Sequence, residues 1–402
     1  MPDPVYFDHA ATTPVKPEVL EAMAPYFGAR FGNPSSVHRW GRDARVALDE
    51  ARERVAACLG ANADEVCFTS CGTEGDNLAI LGAFRMLRAS GRLAAVTTPI
   101  EHKAVLAAVH EVAREGGEER IVPVLSSGVV NELEYMRQVD EHVAVASVMW
   151  VNNEVGVIQP IKKLAEHAKA SGAVFHTDGV QAFGKVDINA REIPFDFLTI
   201  SGHKLGAPKG VGALYIRRGT ALEPMLVGGS QDRGRRAGTE NVAFAVGLAV
   251  AAELAITERE HECARLLAFR EQFEHGILNA IPGAIIHAAS ADRAPHITNV
   301  SIPGISSESM LMALDLRGIA CSAGSACQSG SVSASHVLSA MGVSIPLANA
   351  ALRFSTGVMT DAAAIARVLE VLPMLANKAR GQVTTGKAGT QNAAEVMSHA
   401  GD

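Results

Sequence analysis

From about residue 40 onward the chain alternates between runs with helical spacing of apolar residues and short, densely apolar runs. "RDARVALDEARERVAACLG" (42–60) places Ala44, Leu48, Ala51, Val55 and Cys58 or Leu59 on one stripe and stops at Gly60. Spacings of three and four with a terminal glycine predict an amphipathic helix. "EVCFTS" (65–70) reads as a strand, "GTEGDNLAILGAFRMLRA" (72–89) as a helix, "LAAVTT" (93–98) as a strand and "HKAVLAAVHEVARE" (102–115) as a helix. "HVAVASVMWV" (142–151) is nearly all apolar, as a strand covered on both faces is. The helix "IKKLAEHAKASG" (161–172) and the strands "AVFHTD" (173–178), "FLTI" (197–200) and "GALYIR" (212–217) follow. Such alternation predicts an α/β fold with a parallel-rich sheet. A helical stretch from about Asn241 to Leu278 leads into a second, smaller α/β unit with "HITNVSIP", "ESMLMALDLRG" and "AALRFSTG". From Gly381 the chain is polar and weakly patterned, which predicts a flexible tail.

Composition narrows the function classes. The 402 residues carry a formal net charge of −7 with no dense Lys/Arg block, which argues against general nucleic-acid binding. No apolar run is long enough to span a membrane, and the first residues lack an export-type apolar segment, so a cytoplasmic protein is expected. Of six cysteines, Cys58 and Cys67 lie in apolar stretches and Cys263 in a helical pattern, which predicts packed thiols. Cys71, Cys321 and Cys327 remain as candidates for chemistry.

Ligands of open α/β sheets bind beyond the carboxyl ends of the strands. Gly72 and Thr73 follow the first of these ends and open a helix, offering free N–H groups and a hydroxyl to a phosphate. His102, Asn153, Asp178 and Lys204 follow later ends, with Gln181 three residues beyond Asp178. Three of these have an ordinary reading as well: a capped helix for Gly72–Thr73, a helix-start residue for His102, an N-cap for Asp178. Together they supply a phosphate cradle, an imidazole, a carboxamide, a carboxylate and an amine. Those are the groups that pyridoxal 5′-phosphate requires. No G-x-G-x-x-G follows a strand and no G-x-x-x-x-G-K-[ST] occurs, so nicotinamide and P-loop sites fit worse.

"YFDHAATTP", "FGNPSSVH", "FTSCGTEGDN", "EHKAV", "VNNEVG", "HTDGVQAFGK", "SGHKLGAPKGVG", "RRAGTEN", "GSACQSGSVSASHVL" and "LRFSTG" resemble the class V aminotransferase family, within it the cysteine desulfurases. The resemblance spans about residues 5–360 and is nearer the nitrogen-fixation type, in the long-loop branch. It implies a fold-type I pyridoxal-phosphate homodimer with a large cofactor-binding domain (15–255) and a small domain (1–14 with 256–380) carrying the catalytic cysteine loop. Lys204 would carry the Schiff base, Asp178 pair with the pyridine nitrogen, His102 stack on the ring and shuttle protons, and Gln181 bond the phenolic oxygen. Gly72, Thr73, Ser201 and His203 would hold the phosphate, with Thr239 reaching in from the partner subunit, while Asn153 and Arg353 would hold the substrate carboxylate. Lys209 is the rival amine, set among turn residues.

The implied reaction converts L-cysteine to L-alanine and leaves the sulfur on Cys327 as a persulfide, for an iron–sulfur scaffold protein and in one version for nitrogenase maturation. Cys321 is expected to be a packing thiol, and no metal site is expected. Gln328 and Val358 depart from the family's usual residues. A selenocysteine lyase, another pyridoxal-phosphate lyase or aminotransferase, and a non-enzymatic sulfur-trafficking protein are the alternatives. The thiol at Cys327 speaks for the desulfurase, and the intact set of Lys204, Asp178 and His102 speaks against a vestigial site.

Overall fold

The computed structural model describes residues 4–323 and 334–396. Among them the strands are β1 (Val5–Tyr6), β2 (Val66–Thr69), β3 (Ala94–Thr97), β4 (Glu118–Ile121), β5 (Val143–Ser147) and β6 (Val174–Asp178). They continue as β7 (Phe197–Ser201), β8 (Gly212–Ile216), β9 (Ile285–Ile286), β10 (Ile297–Ser301), β11 (Ile319–Ala320) and β12 (Ala351–Ser355). Seven form one sheet in the order β2-β8-β7-β6-β5-β3-β4. β8 alone runs against its neighbours, so the other six point their carboxyl ends the same way. The mixed, mostly parallel sheet agrees with the sequence reading.

Burial explains why β2, β3, β5, β7 and β8 are unbroken apolar or small-residue runs: every residue in them is buried. Helices cover both faces, as parallel sheets require. The stripe residues Ala44, Leu48, Ala51 and Val55 of helix Arg39–Cys58 join one side, and Val105, Ala108, Val109 and Val112 of helix Lys103–Arg114 the other. A second core surrounds the antiparallel sheet β12-β10-β9, with β1 paired in parallel to β11 beside it. Phe7, Phe273 and Phe354 meet there with ring centroids 5.0–6.3 Å apart. Burying each such ring contributes roughly 1.5–3 kcal/mol, so the N-terminal segment is anchored to a core made from the far end of the chain.

Three local expectations change. β5 ends at Ser147, and Val148–Val151 leave the ladder as a buried turn with one bridge, Val151 to Ile158. β4 was missed because its residues, EERI, are half-exposed at the sheet edge and carry no apolar run. The expected connector is two helices, Val242–Thr257 and Arg259–Ala280, parted at Glu258. The last helix runs Ala362–Val396, past Gly381.

Candidate active site

Five of the six co-directed strands, β2, β3, β5, β6 and β7, deliver the residues after their carboxyl ends to one cavity of about 380 Å³. Its wall includes Gly72, Thr73, His102, Asn153, Asp178, Gln181, Ser201, His203, Lys204 and Arg353. Ten residues named from the sequence therefore share one space. Thr239 is exposed and lies outside that wall, and Cys327 and Gln328 lie outside the described residues. Lys209 lines a different cavity, with Tyr6 and Asp315.

Lys204 sits in a single 3-10 turn, Gly202–Lys204, that caps β7. Its Nζ donates to the carbonyls of Ala10 (2.7 Å) and Ala11 (2.6 Å). Burial and the nearby Arg353 guanidinium lower its pKa to about 8, despite Asp178 and Asp8. A desolvated amine with that pKa is a competent nucleophile for a carbonyl. Asp178 ends β6, is 5% exposed, and accepts from the backbone N–H of Val180 at 2.9 Å. Burial raises its pKa, while His102, that N–H and Lys204 oppose the rise. A cationic partner placed at this carboxylate would be strongly favoured.

His102 is both a helix cap and a wall residue. Its Nδ1 accepts from the N–H of Ala104 at 3.2 Å, so the neutral ring carries its proton on Nε2. Gln181 donates to the Ala10 carbonyl, and its Oε1 lies 3.3 Å from Nε2 of His296. His203 Nδ1 meets Thr12 Oγ1 at 3.1 Å, and burial with the Lys204 and Lys209 charges lowers its pKa to about 4, leaving it neutral.

Pyridoxal phosphate fits these residues. Gly72 opens a 16-residue helix whose first amides face the cavity, and a Cβ at Gly72 would meet Val180 Cγ2 at 3.0 Å. Ser201 Oγ is buried without a hydrogen-bond partner in the same wall. A phosphate would supply the acceptors that this hydroxyl and these amides lack. Arg353, 5% exposed on β12, has its Nη atoms on Asp8 and the Asn153 carbonyl, while its buried Nε has no partner.

The structure adds residues that spacing did not single out. Asp76, 1% exposed, lies one helical turn after Thr73, with its Oδ1 3.6 Å from Nε2 of His176. Burial holds His176 neutral, with a pKa of about 3, between Ser147 Oγ (2.8 Å) and Thr199 Oγ1 (3.0 Å). This polar layer underlies Asp178. Glu154 and His336 also line the cavity, and the carbonyl of the fully buried Glu101 meets Nε2 of His336. Asp76 was findable, since "GTEGD" puts it on the helix face of Gly72 and Thr73; His336 was not, because its helix is placed by Val337 and Leu338 packing with Ile100, Val155 and Val157, far away in the chain.

Residues 5–368 match the family model described as aminotransferase class V. The cysteine desulfurase NifS of Azotobacter vinelandii is 44% identical over 94% of this chain and 93% of its own length. The cysteine desulfurase IscS of Dictyoglomus turgidum is 43% identical over 94% and 95%. A solved NifS-like protein superposes with a TM-score of 0.87 at 35% identity, covering 92% of this chain and 99% of its own. By its fold, its lysine-centred cavity and these matches, the chain belongs to the class V aminotransferase family, whose members depend on pyridoxal phosphate, and groups there with the cysteine desulfurases.

Proposed function

We propose that the protein is a pyridoxal-phosphate-dependent cysteine desulfurase that converts L-cysteine to L-alanine and passes the sulfur to Cys327 as a persulfide. The observation that carries this reading is the convergence of Lys204, Asp178, His102 and Arg353 on one cavity, together with relatives named as cysteine desulfurases. When bound, the cofactor supplies an electron sink for bonds at the substrate's Cα and Cβ. Lys204 would hold the cofactor, and its Nζ is an amine able to move a proton. Asp178 would keep the pyridine nitrogen protonated. His102 would lie against the cofactor, with Nε2 as a donor. Gly72, Thr73, Ser201 and His203 hold the phosphate. Arg353 and Asn153 orient the substrate carboxylate. Cys327 is the nucleophile, and a partly ionised thiol is what that step needs.

The same reading includes a homodimer in which Thr239 of each chain completes the other's phosphate site. Exposure of Thr239, and of Phe27, Phe31, Val37 and Trp40 on one stretch of chain, supports it. Five described cysteines are free, as expected of a reducing cytoplasm. An iron–sulfur scaffold protein is the proposed acceptor. Identities of 44% to a NifS and 43% to an IscS do not separate nitrogenase maturation from general cluster assembly.

The test is direct. Purified protein given L-cysteine and a reductant should form alanine and sulfide in equal amounts. Cys327→Ala should keep the cofactor absorbance and lose the sulfide; sulfide release surviving that change would sink the nucleophile assignment.

A further inference from the structure

One group on the cavity wall has a lone pair that no role above uses. His336 begins the helix His336–Ala340, and its Nε2 lies 3.0 Å from the carbonyl oxygen of Glu101. A carbonyl only accepts, so Nε2 carries the hydrogen and the neutral ring keeps its lone pair on Nδ1. Nδ1 stands 3.9 Å from Oε1 of Glu154. Both residues line the cavity that holds Lys204 and Arg353, and the His336 side chain is 35% exposed, so it also reaches solvent. Glu154 is 2% exposed and rigidly held. Its Oε2 accepts from Ser335 Oγ at 2.5 Å, its N–H donates to Asn152 Oδ1, and its carbonyl accepts from Asn299 Nδ2.

His102 cannot take this part in the same state. Its Nδ1 lone pair is occupied by the Ala104 N–H, which leaves Nε2 as a donor. The desolvated His203 ring sits among lysine charges. We propose that His336, oriented by the Glu101 carbonyl and backed by Glu154, is the base that removes the proton from a thiol entering this cavity. This deepens the desulfurase reading and rests on it.

In the step, the thiol S–H bond breaks, the proton moves to Nδ1, and the electron pair stays on sulfur as thiolate. The new Nδ1–H of the imidazolium lies 3.9 Å from Glu154 Oε1; burial raises the Glu154 pKa, and Ser335, His336, Arg353 and Lys103 oppose the rise, so a cationic ring here favours the carboxylate and is favoured by it. A free thiol at neutral pH is only a few per cent ionised, so a base here raises the reactive fraction. The surrounding charges are mixed. Lys103 beside His102 at the neighbouring helix start, Arg353 on β12 and Lys204 across the cavity oppose a positive ring, and Glu154 and Asp178 favour it. The Glu101 carboxylate is turned to Thr98 and the Met149 N–H, leaving its carbonyl for His336.

The variant His336→Gln can keep a donor toward the Glu101 carbonyl but cannot accept the proton. In the holoenzyme, alanine formation from L-cysteine by His336→Gln should fall about a hundredfold or more near neutrality. The loss should shrink as rising pH ionises the thiol without help. A loss of the same size at every pH, or no loss, overturns the proposal. Independently of turnover, histidine-labelled protein should show the His336 ring titrating at lower pH in Glu154→Gln than in the parent, with His336→Gln identifying the resonance. An unmoved titration overturns the pairing. Parent enzyme forming no alanine from L-cysteine fails the desulfurase reading instead, and the ring titration then decides the pair by itself.

Discussion

Arg353 Nη2 donates to Asp8 Oδ1 at 2.8 Å, joining side chains 345 residues apart. A second donor of the same guanidinium reaches the Asn153 carbonyl at 2.9 Å. Three distant segments thus aim one cation into the cavity. Arg353→Lys keeps the charge but loses the fork. We expect its KM for L-cysteine to rise about 10- to 100-fold, the equivalent of one charge-assisted hydrogen bond of about 1.5–3 kcal/mol. Asp8→Asn should shift KM in the same direction by less. Steady-state kinetics on both variants checks this, and an unchanged KM in Arg353→Lys would contradict the carboxylate assignment.

Attachment of the cofactor should depend on pH through Lys204. Burial lowers its pKa to about 8, and only the neutral amine attacks a carbonyl. Below that value the amine is protonated and capture is slow; above it capture approaches its limit. Mixing apoprotein with pyridoxal phosphate and following the absorbance should give a rate that climbs through about 8. Borohydride reduction followed by peptide mass mapping should place the label on Lys204. Label on Lys209, which lines another cavity, would reverse the assignment.

Cys321 packs against the second core, and burial pushes its thiol far above the ordinary range. It should therefore resist iodoacetamide near neutrality in the folded protein, as should Cys67, which is fully buried. Cys321→Ala should retain desulfurase activity within about twofold, the usual scatter of a change that touches no reacting group. Rapid labelling of Cys321 in native protein would show that this packing is wrong.

Gly212 begins β8, between Ser201 on β7 and Thr69 on β2. A Cβ there would meet the Ile200 carbonyl oxygen at 2.6 Å and Thr69 Oγ1 at 3.0 Å. Backbone cannot swing aside as a side chain does, so Gly212→Ala should spread the two strand ends that carry Ser201 and Gly72. The expected cost is about 1–3 kcal/mol, seen as a lower urea midpoint with an unchanged slope. Weaker pyridoxal phosphate binding should accompany it. A variant with parental stability and affinity would show that the strands yield.

Much of the sheet was legible because burial on both faces leaves its mark on composition. β2, β5 and β7 could be read from apolar runs, and the residues after them from the rule that ligands gather at strand ends. β4 was not legible, since an edge strand with a polar face looks like a helix end. Glu154 was visible in "VNNEVG" but had no assignable role, because its partners Ser335 and His336 lie some 180 residues away.

The amino-acid sequence by itself determined the order of strands and helices, the lysine, carboxylate and glycine turn at their ends, and the family to which they point. These are local in the chain, encoded in periodicity and in which residue follows which. Tertiary structure decided which donors and acceptors remain free. Asn152 spends its side chain on the turn, whereas Asn153 stands in the cavity wall. The Nδ1 lone pair of His102 is taken by a backbone amide, whereas that of His336 faces a carboxylate. The physical reason is that a hydrogen-bonding group does chemistry only with the capacity its neighbours leave over, and those neighbours come from segments that only folding brings together.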